Sequence, residues 1–218
     1  MFERTLQIVL TDDPGAEQPA ATRERLKGRF APGAVRRMTQ LGMLVGALVG
    51  ELQPREEDAV VYTSQFGEAR ALEAFLDSFP TASPTLFQTS IHPSGVQQGL
   101  IARQQPLREF IPMAGGEALV AQALLAAVLS PAPRVILCGG EECGSWLVAP
   151  QAASERTFAY ALTVGPAEAA GAAARLRLTP DDWPGAALTL PGWFDLLRQR
   201  RAHAGPVGPG WRLDLDWS

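Results

Sequence analysis

The chain has 218 residues, 46% of them hydrophobic and 19% charged, with a formal net charge of −4 and a mean hydropathy near zero. That composition buries one sizeable core and excludes a disordered or collagen-like chain. The mildly acidic balance, with scattered arginines and Lys27 as the one lysine, argues against non-specific nucleic-acid binding, which needs a concentrated basic face. Cys138 and Cys143 make neither a disulfide framework nor a zinc pattern, so a reducing, cytoplasmic setting is expected. No basic segment followed by a long apolar run opens the sequence, and its longest apolar stretch, residues 43–49, is too short to span a bilayer, so a soluble protein is expected.

In chain order, the apolar run 6–10 predicts a strand closed by the turn Asp12-Asp13-Pro14-Gly15. Residues 14–33 mix Pro, Gly, Ala and charge and read as a loop with one helical turn. From 34 to 52, Val35, Met38, Leu41, Val45, Leu48 and Val49 recur at the period of a helix face. Gly42, Gly46 and Gly50 each weaken such a helix by about 1 kcal/mol relative to Ala, and their spacing predicts a ridge packed closely on another backbone. Residues 59–63 predict a strand, 68–79 a helix, 86–91 an extended segment, 96–102 a short helix and Phe110-Ile111 a second short strand. A long Ala/Leu helix over 116–129 is stopped by Ser130-Pro131-Ala132-Pro133, and 134–138 is a buried strand leading into Gly139-Gly140. Strands alternating with helices indicate an α/β domain with a largely parallel core. Residues 157–164 and 174–178 are expected to pair with one another, joined by a short Ala-rich helix. From Pro180 the texture changes. Four of the five tryptophans, Trp183, Trp193, Trp211 and Trp217, fall there among Pro and Gly, which predicts a tail that clamps onto an existing surface.

Several residues invite a chemical reading. Cys138 ends an apolar run and reads as a buried structural thiol; Cys143 reads as more exposed, without a His or Asn neighbour in sequence. His92, before Pro93, is the better site candidate of the two histidines, His203 reading as an exposed loop residue. Glu141-Glu142 reads as a solvated turn at a strand's carboxyl end, and Gly115-Gly116 as a loop before a helix that could cradle an anion. No phosphate-binding glycine motif is present.

The residues 87–94, 99–103 and 110–117, the helix to Leu129 and the run 135–141, taken in order, resemble the amino-terminal half of a β-ketoacyl synthase of the thiolase fold. In particular they resemble the short chain-length-factor-like ketosynthase subunits of aryl polyene biosynthesis. The resemblance covers residues 34–145, and 157–178 more loosely. It implies an α/β thiolase-like half over 1–179, with a single mixed sheet, a buried central helix and flanking helices, plus a Trp-rich tail over 180–218 packing on it. Where active ketosynthases carry the nucleophilic cysteine, between strand and buried helix, this sequence has Ala114 or, with a one-residue slip, Gly115. Neither attacks a thioester. The chain is about half the family's usual length, and the two histidines of the family's other half have no counterpart in it.

The resemblance thus implies a non-catalytic subunit without metal or cofactor. It pairs with a catalytic ketosynthase, or with itself, through Arg108, Glu109, Phe110, Ile111, Pro112 and Met113. Phe87, Ile91, His92 and Gln97 would line the far end of the partner's acyl tunnel, and contact with an acyl carrier protein stays open. The sequence departs from the pattern at Pro93-Ser94, where short relatives often read Asn-Ala, and at Gln97, where a small residue is usual. Two other readings remain: an acyl-thioester hydrolase or transferase using His92 with Ser90 or Cys143, and a homodimeric scaffold binding acyl carrier protein. In the full fold the two halves pack through shared central helices, so a single half is expected to need cover for an apolar layer, partly from the tail and partly from a partner.

Overall fold

A computed structural model describes residues 1–91, 93–182 and 185–218, with only the backbone of Ser94 and Gly95. Its strands are β1 (Phe2–Asp12), β2 (Ala59–Ser64), β3 (Glu109–Ala114), β4 (Val135–Glu141), β5 (Phe158–Gly165), β6 (Ala174–Pro180), β7 (His203–Gly208) and β8 (Trp211–Trp217). They form one mixed sheet in the order β3-β2-β4-β5-β1-β6-β8-β7. β2 runs parallel to β3 and β4, and every other pairing is antiparallel. The apolar runs of β2, β4 and β5 are buried along their whole length, as expected of strands covered by helices on both faces. β6 and β8 instead alternate, with Leu176, Leu178, Leu213 and Leu215 inward and Arg175 and Arg177 outward, the period of a sheet with one wet face.

The helices are α1 (Pro19–Leu26), α2 (Gln40–Glu51), α3 (Ala69–Asp77), α4 (Pro84–Ser90), α5 (Ser94–Ala102), α6 (Leu119–Leu129) and α7 (Leu190–Gln199). α2 packs on one sheet face against Val60, Tyr62, Ile136, Cys138, Ala159 and Ala161. α6 and α7 pack on the other, against Val61, Leu137, Tyr160, Leu162 and the inward leucines of β6 and β8. α6 touches both β2 and β7. Those strands stand six places apart in the sheet, about 29 Å if it were flat, so the sheet curls around α6. A Cβ on Gly208 of β7 would stand 2.6 Å from the Ala121 methyl of α6. Beyond Pro180 the chain supplies α7, β7 and β8, the two strands joining the same sheet through β6. Trp193 is fully buried, Trp211 and Trp217 pack partly buried on the same core, and Trp183 lies outside the described residues.

Elsewhere the structure corrects the sequence reading. The helix expected from residue 34 begins at Gln40, because Ala34–Arg37 is a 3-10 turn and Thr39 is the cap, its hydroxyl accepting from the Gly42 amide at 2.9 Å. Residues 14–33 hold a true helix, α1, opened by Pro19; with only Thr22 and Leu26 buried it leaves no apolar period to read. The segment 86–91 lies largely in helix α4, started by Pro84 and by Ser83 accepting from the Leu86 amide at 3.4 Å. β5 and β6 do not pair; β1 lies between them and bonds to both, and no helix joins them. The glycine ridge of α2 meets side chains, not backbone: a Cβ would stand 3.1 Å from the Phe30 ring at Gly46 and 2.0 Å from the Arg103 guanidinium at Gly50.

Candidate functional site

The carboxyl ends of β2, β3 and β4 lie side by side, with the loops that follow them. In one row across the sheet stand Tyr160, Gly139, Thr63 and Met113. A Cβ on Gly139 would lie 2.1 Å from the Thr63 carbonyl oxygen, so no side chain fits there. The space lets Tyr160 on β5 reach over β4, its phenolic oxygen 2.5 Å from Thr63 Oγ1. Thr63 Oγ1 also lies 3.2 Å from the Cys138 carbonyl oxygen. Burial raises the Tyr160 pKa, so its phenol stays neutral.

Just beyond, Glu141 and Glu142 are buried, at 1% and 0% exposure, where a solvated turn was expected. The reason is their donors. Glu141 accepts from the Ser64 hydroxyl at 3.0 Å and from the Gln65 and Phe66 amides at 2.5 and 3.3 Å. Glu142 accepts from the Leu41 and Arg70 amides at 3.2 and 3.0 Å, in the first turns of α2 and α3, which otherwise lack partners. Glu73 of α3 ties down the next loop, accepting from the Ser145 amide and hydroxyl at 2.6 and 2.9 Å and from the Leu147 amide at 3.1 Å. Burial pushes the Glu141 carboxyl up to about 7, its three hydrogen bonds pull it down, and the Glu142 charge adds to the rise. Burial also raises Glu142, against the Leu41 and Arg70 amides. At Glu73 burial raises the pKa, but the Leu147 and Ser145 bonds and the Arg70 charge outweigh it, and the net shift is downward. These carboxylates are stitched to loops and helix starts rather than aimed at open space. The sequence signal for them was that Glu141 directly extends an all-apolar strand.

The strand-to-helix passage after β3 reads Ala114-Gly115-Gly116-Glu117-Ala118 and enters α6 at Leu119. It offers no thiol and no hydroxyl. A Cβ on Gly115 or Gly116 meets nothing within 4 Å, so the glycines do not mark a close cradle. Cys138 is fully buried and burial holds its thiol well above the ordinary value, which makes it unreactive. Cys143 is half-buried, its thiol 3.4 Å from the Gly144 carbonyl oxygen. Ser90 ends α4, its hydroxyl donating to the Phe87 carbonyl at 2.8 Å. His203 opens strand β7, half-buried, instead of lying in an exposed loop.

Phe87 and Ile91 sit four residues apart at α4, 50% and 48% exposed. The Phe87 ring lies 5.3 Å from that of Phe75, which in turn lies 5.4 Å from Phe79. Gln97 is exposed on α5, and His92 lies outside the described residues. The largest cavity described, about 540 Å³, opens between the loop after β2 and α7, with Phe66, Arg156 and Pro191 in its wall. No cavity described includes Phe87, Ile91, Gln97, Ala114 or Gly115. β3 ends the sheet, and none of its six residues is buried.

No family model matches the chain, and no curated protein does. Solved structures do. A chain in the complex of a ketosynthase (ApeO) with its chain length factor (ApeC) from Xenorhabdus doucetiae is 18% identical, with a TM-score of 0.67 over 99% of this chain and 100% of that one. This chain has the thiolase-like ketosynthase fold. The ishigamide ketosynthase/chain length factor is 14% identical, with a TM-score of 0.58 over 83% of this chain and 68% of that one. A ketosynthase from module 6 of the bacillaene synthase of Bacillus subtilis 168 is 8% identical, with a TM-score of 0.50 over 85% and 42%. The expected architecture, one mixed sheet with a buried central helix and flanking helices, is the one observed. Among the described residues no helix is long and apolar enough to cross a membrane.

Proposed function

We propose that this chain is a chain-length-factor-like subunit that pairs with a catalytic ketosynthase and shapes its acyl tunnel without performing the condensation. The observation that carries the reading is the state of β3. It is a terminal strand with no buried residue, and it runs into the central helix α6 through a passage that holds no nucleophile. Pairing along residues 108–113 would bring Ile111 and Met113 under cover and extend the sheet into the partner. Phe87 and Ile91, half-exposed together with Phe79, supply apolar surface of the kind that lines an acyl channel once a second subunit closes over it. His92 and Gln97 belong to the same proposed wall. Ala114, or Gly115, stands where a condensing cysteine would be.

The test is coexpression with a catalytic ketosynthase. Stable copurification in equal amounts, lost in Ile111→Arg, is expected; recovery of a monomer beside a fully active ketosynthase would sink the reading. A size series at Phe87 and Ile91 in the reconstituted pair is expected to change product length. Ser90 is engaged in capping its own helix and Cys143 carries no base among its hydrogen-bond partners, so nothing there favours a hydrolase.

A further inference from the structure

Proline interrupts few strands, because it has no amide hydrogen to give to a neighbour. One stands in the middle of β3, at Pro112, and the register shows which way it faces. The Ala59 amide donates to the Arg134 carbonyl, so Ala59, Val61 and Thr63 turn toward β4, while Val60, Tyr62 and Ser64 turn toward β3. In a parallel ladder a residue bonds to the two neighbours of the residue beside it. Val60, Tyr62 and Ser64 stand beside Phe110, Pro112 and Ala114. Glu109, Ile111 and Met113 therefore bond to β2, and the peptide groups of Phe110, Pro112 and Ala114 point outward. The pairing with β2 passes through Pro112 without a shift, as it must when the missing donor lies on the free side. The open edge offers carbonyls at Phe110, Pro112 and Ala114, but amides only at Phe110 and Ala114.

This pattern treats a copy and a stranger differently. A strand laid antiparallel on the edge faces its own outward residues to these, and each facing pair exchanges two hydrogen bonds. A strand with an amide opposite Pro112 loses one bond of the ladder. A second copy of this chain brings a second Pro112. About a twofold axis each unlike pair of residues occurs twice, so with Phe110 opposite Pro112 one bond is lost in each of two pairs. With Pro112 opposite Pro112 both bonds of that pair are lost, and two carbonyls face one another. Every symmetric register that includes Pro112 thus loses two bonds. In other respects the edge is regular: β3 keeps its register over all six residues, whereas the register of β7 shifts beside its own proline. A bulge of that kind turns away any strand, but a single missing donor weighs mainly against a strand that lacks the same one.

We infer that Pro112 selects the chain this edge accepts, disfavouring a second copy and favouring a strand of a different chain that carries an amide opposite it. The inference rests on the pairing proposed along β3 and adds to it what decides between self and partner. One ladder bond corresponds to about fivefold in affinity. The proline therefore weakens a pairing with another chain about fivefold and a pairing with a copy about twenty-five-fold.

Sedimentation of the full chain over a dilution series tests it, with Pro112→Ala and Pro112→Val, which both restore the amide. Binding of each form to a catalytic ketosynthase is measured alongside. Both variants are expected to self-associate about twenty-five-fold more tightly than the unaltered chain and to bind the ketosynthase about fivefold more tightly. Their thermal midpoints are expected to stay unchanged, because Pro112 is exposed on a terminal strand. Adding Ile111→Arg to either variant is expected to remove the new self-association. Self-association unchanged in both variants overturns the inference. So does a gain confined to Pro112→Val, which would come from apolar surface rather than from the donor, and so does a dimer of the unaltered chain that Ile111→Arg abolishes. A gain in self-association with no binding of the ketosynthase by any form supports the role of Pro112 and overturns the proposed partner.

Discussion

The two ends of the sheet each leave one strand edge unpaired, and they are finished in opposite ways. At the β7 end, Gly205, Val207 and Gly208 are buried, Pro206 removes a donor, and the register shifts between Pro206 and Gly208, which are the devices that blunt an edge. α6 packs behind it, its Ala121 against Gly208, and charge pairs such as Arg177–Glu3 and Arg212–Asp214 dress the outside. At the β3 end no strand residue is buried, and around α4, which packs on α3 and α5, Phe79, Phe87 and Ile91 are left about half in water. The apolar layer around α6 is therefore covered from within the chain on one side. On the other side the chain leaves apolar side chains about half in water.

The largest effect is expected at Trp193, which α7 buries under the middle strands that both ends share. Trp193→Ala removes that fully buried ring and is expected to cost about 3–5 kcal/mol in urea denaturation. The middle of the sheet responds to pH. Glu141 holds its proton up to about 7 when folded and titrates near 4.5 when unfolded, so the folded state binds the extra proton between those values. Stability is then full below the unfolded value and falls, by up to about 3 kcal/mol, as pH rises through 7. The melting midpoint is expected to drop between about pH 5 and about pH 8, and to drop less in Glu141→Gln. Glu73 and Asp13, whose values are lowered, act in the other sense, their contribution being lost as pH falls. At the open end the effects on the isolated chain are small. Phe87→Ala is expected to cost about 1 kcal/mol through its contact with Phe75. Ile111→Arg, which takes a half-buried side chain off the core around α6, is expected to cost about 1 kcal/mol, while abolishing copurification with the ketosynthase. A large loss of stability in that variant would erase the difference between the two ends.

How much of this was readable beforehand depended on whether a residue's surroundings are local. β2, β4 and α6 were legible because their burial leaves long apolar runs, interrupted in α6 by Gln122 alone. The helix and two strands beyond Pro180 were not legible, because β7 is made of His, Ala, Gly, Pro and Val with no alternation. The placing of β1 between β5 and β6 is a matter of sheet order, on which periodicity is silent. The buried pair Glu141-Glu142 looked solvated because its donors, on Leu41, Ser64, Gln65, Phe66 and Arg70, come from segments about 70 to 100 residues away in sequence. Of the proposed site, Ala114 ends strand β3, whereas Phe87 was assigned to an extended segment and lies on a helix.

The smallest side chain in the molecule has the widest reach. Gly139 shares its row with Thr63 and, one strand further out, with Met113 on the open edge. Adding a single methyl group at 139 would press on the Thr63 carbonyl and wedge β4 from β2. Since β2 is the one strand that pairs with β3, the wedge would travel outward and tilt the rim proposed to seat a second subunit. The alignment of that rim is thus set by a hydrogen atom two strands inside it.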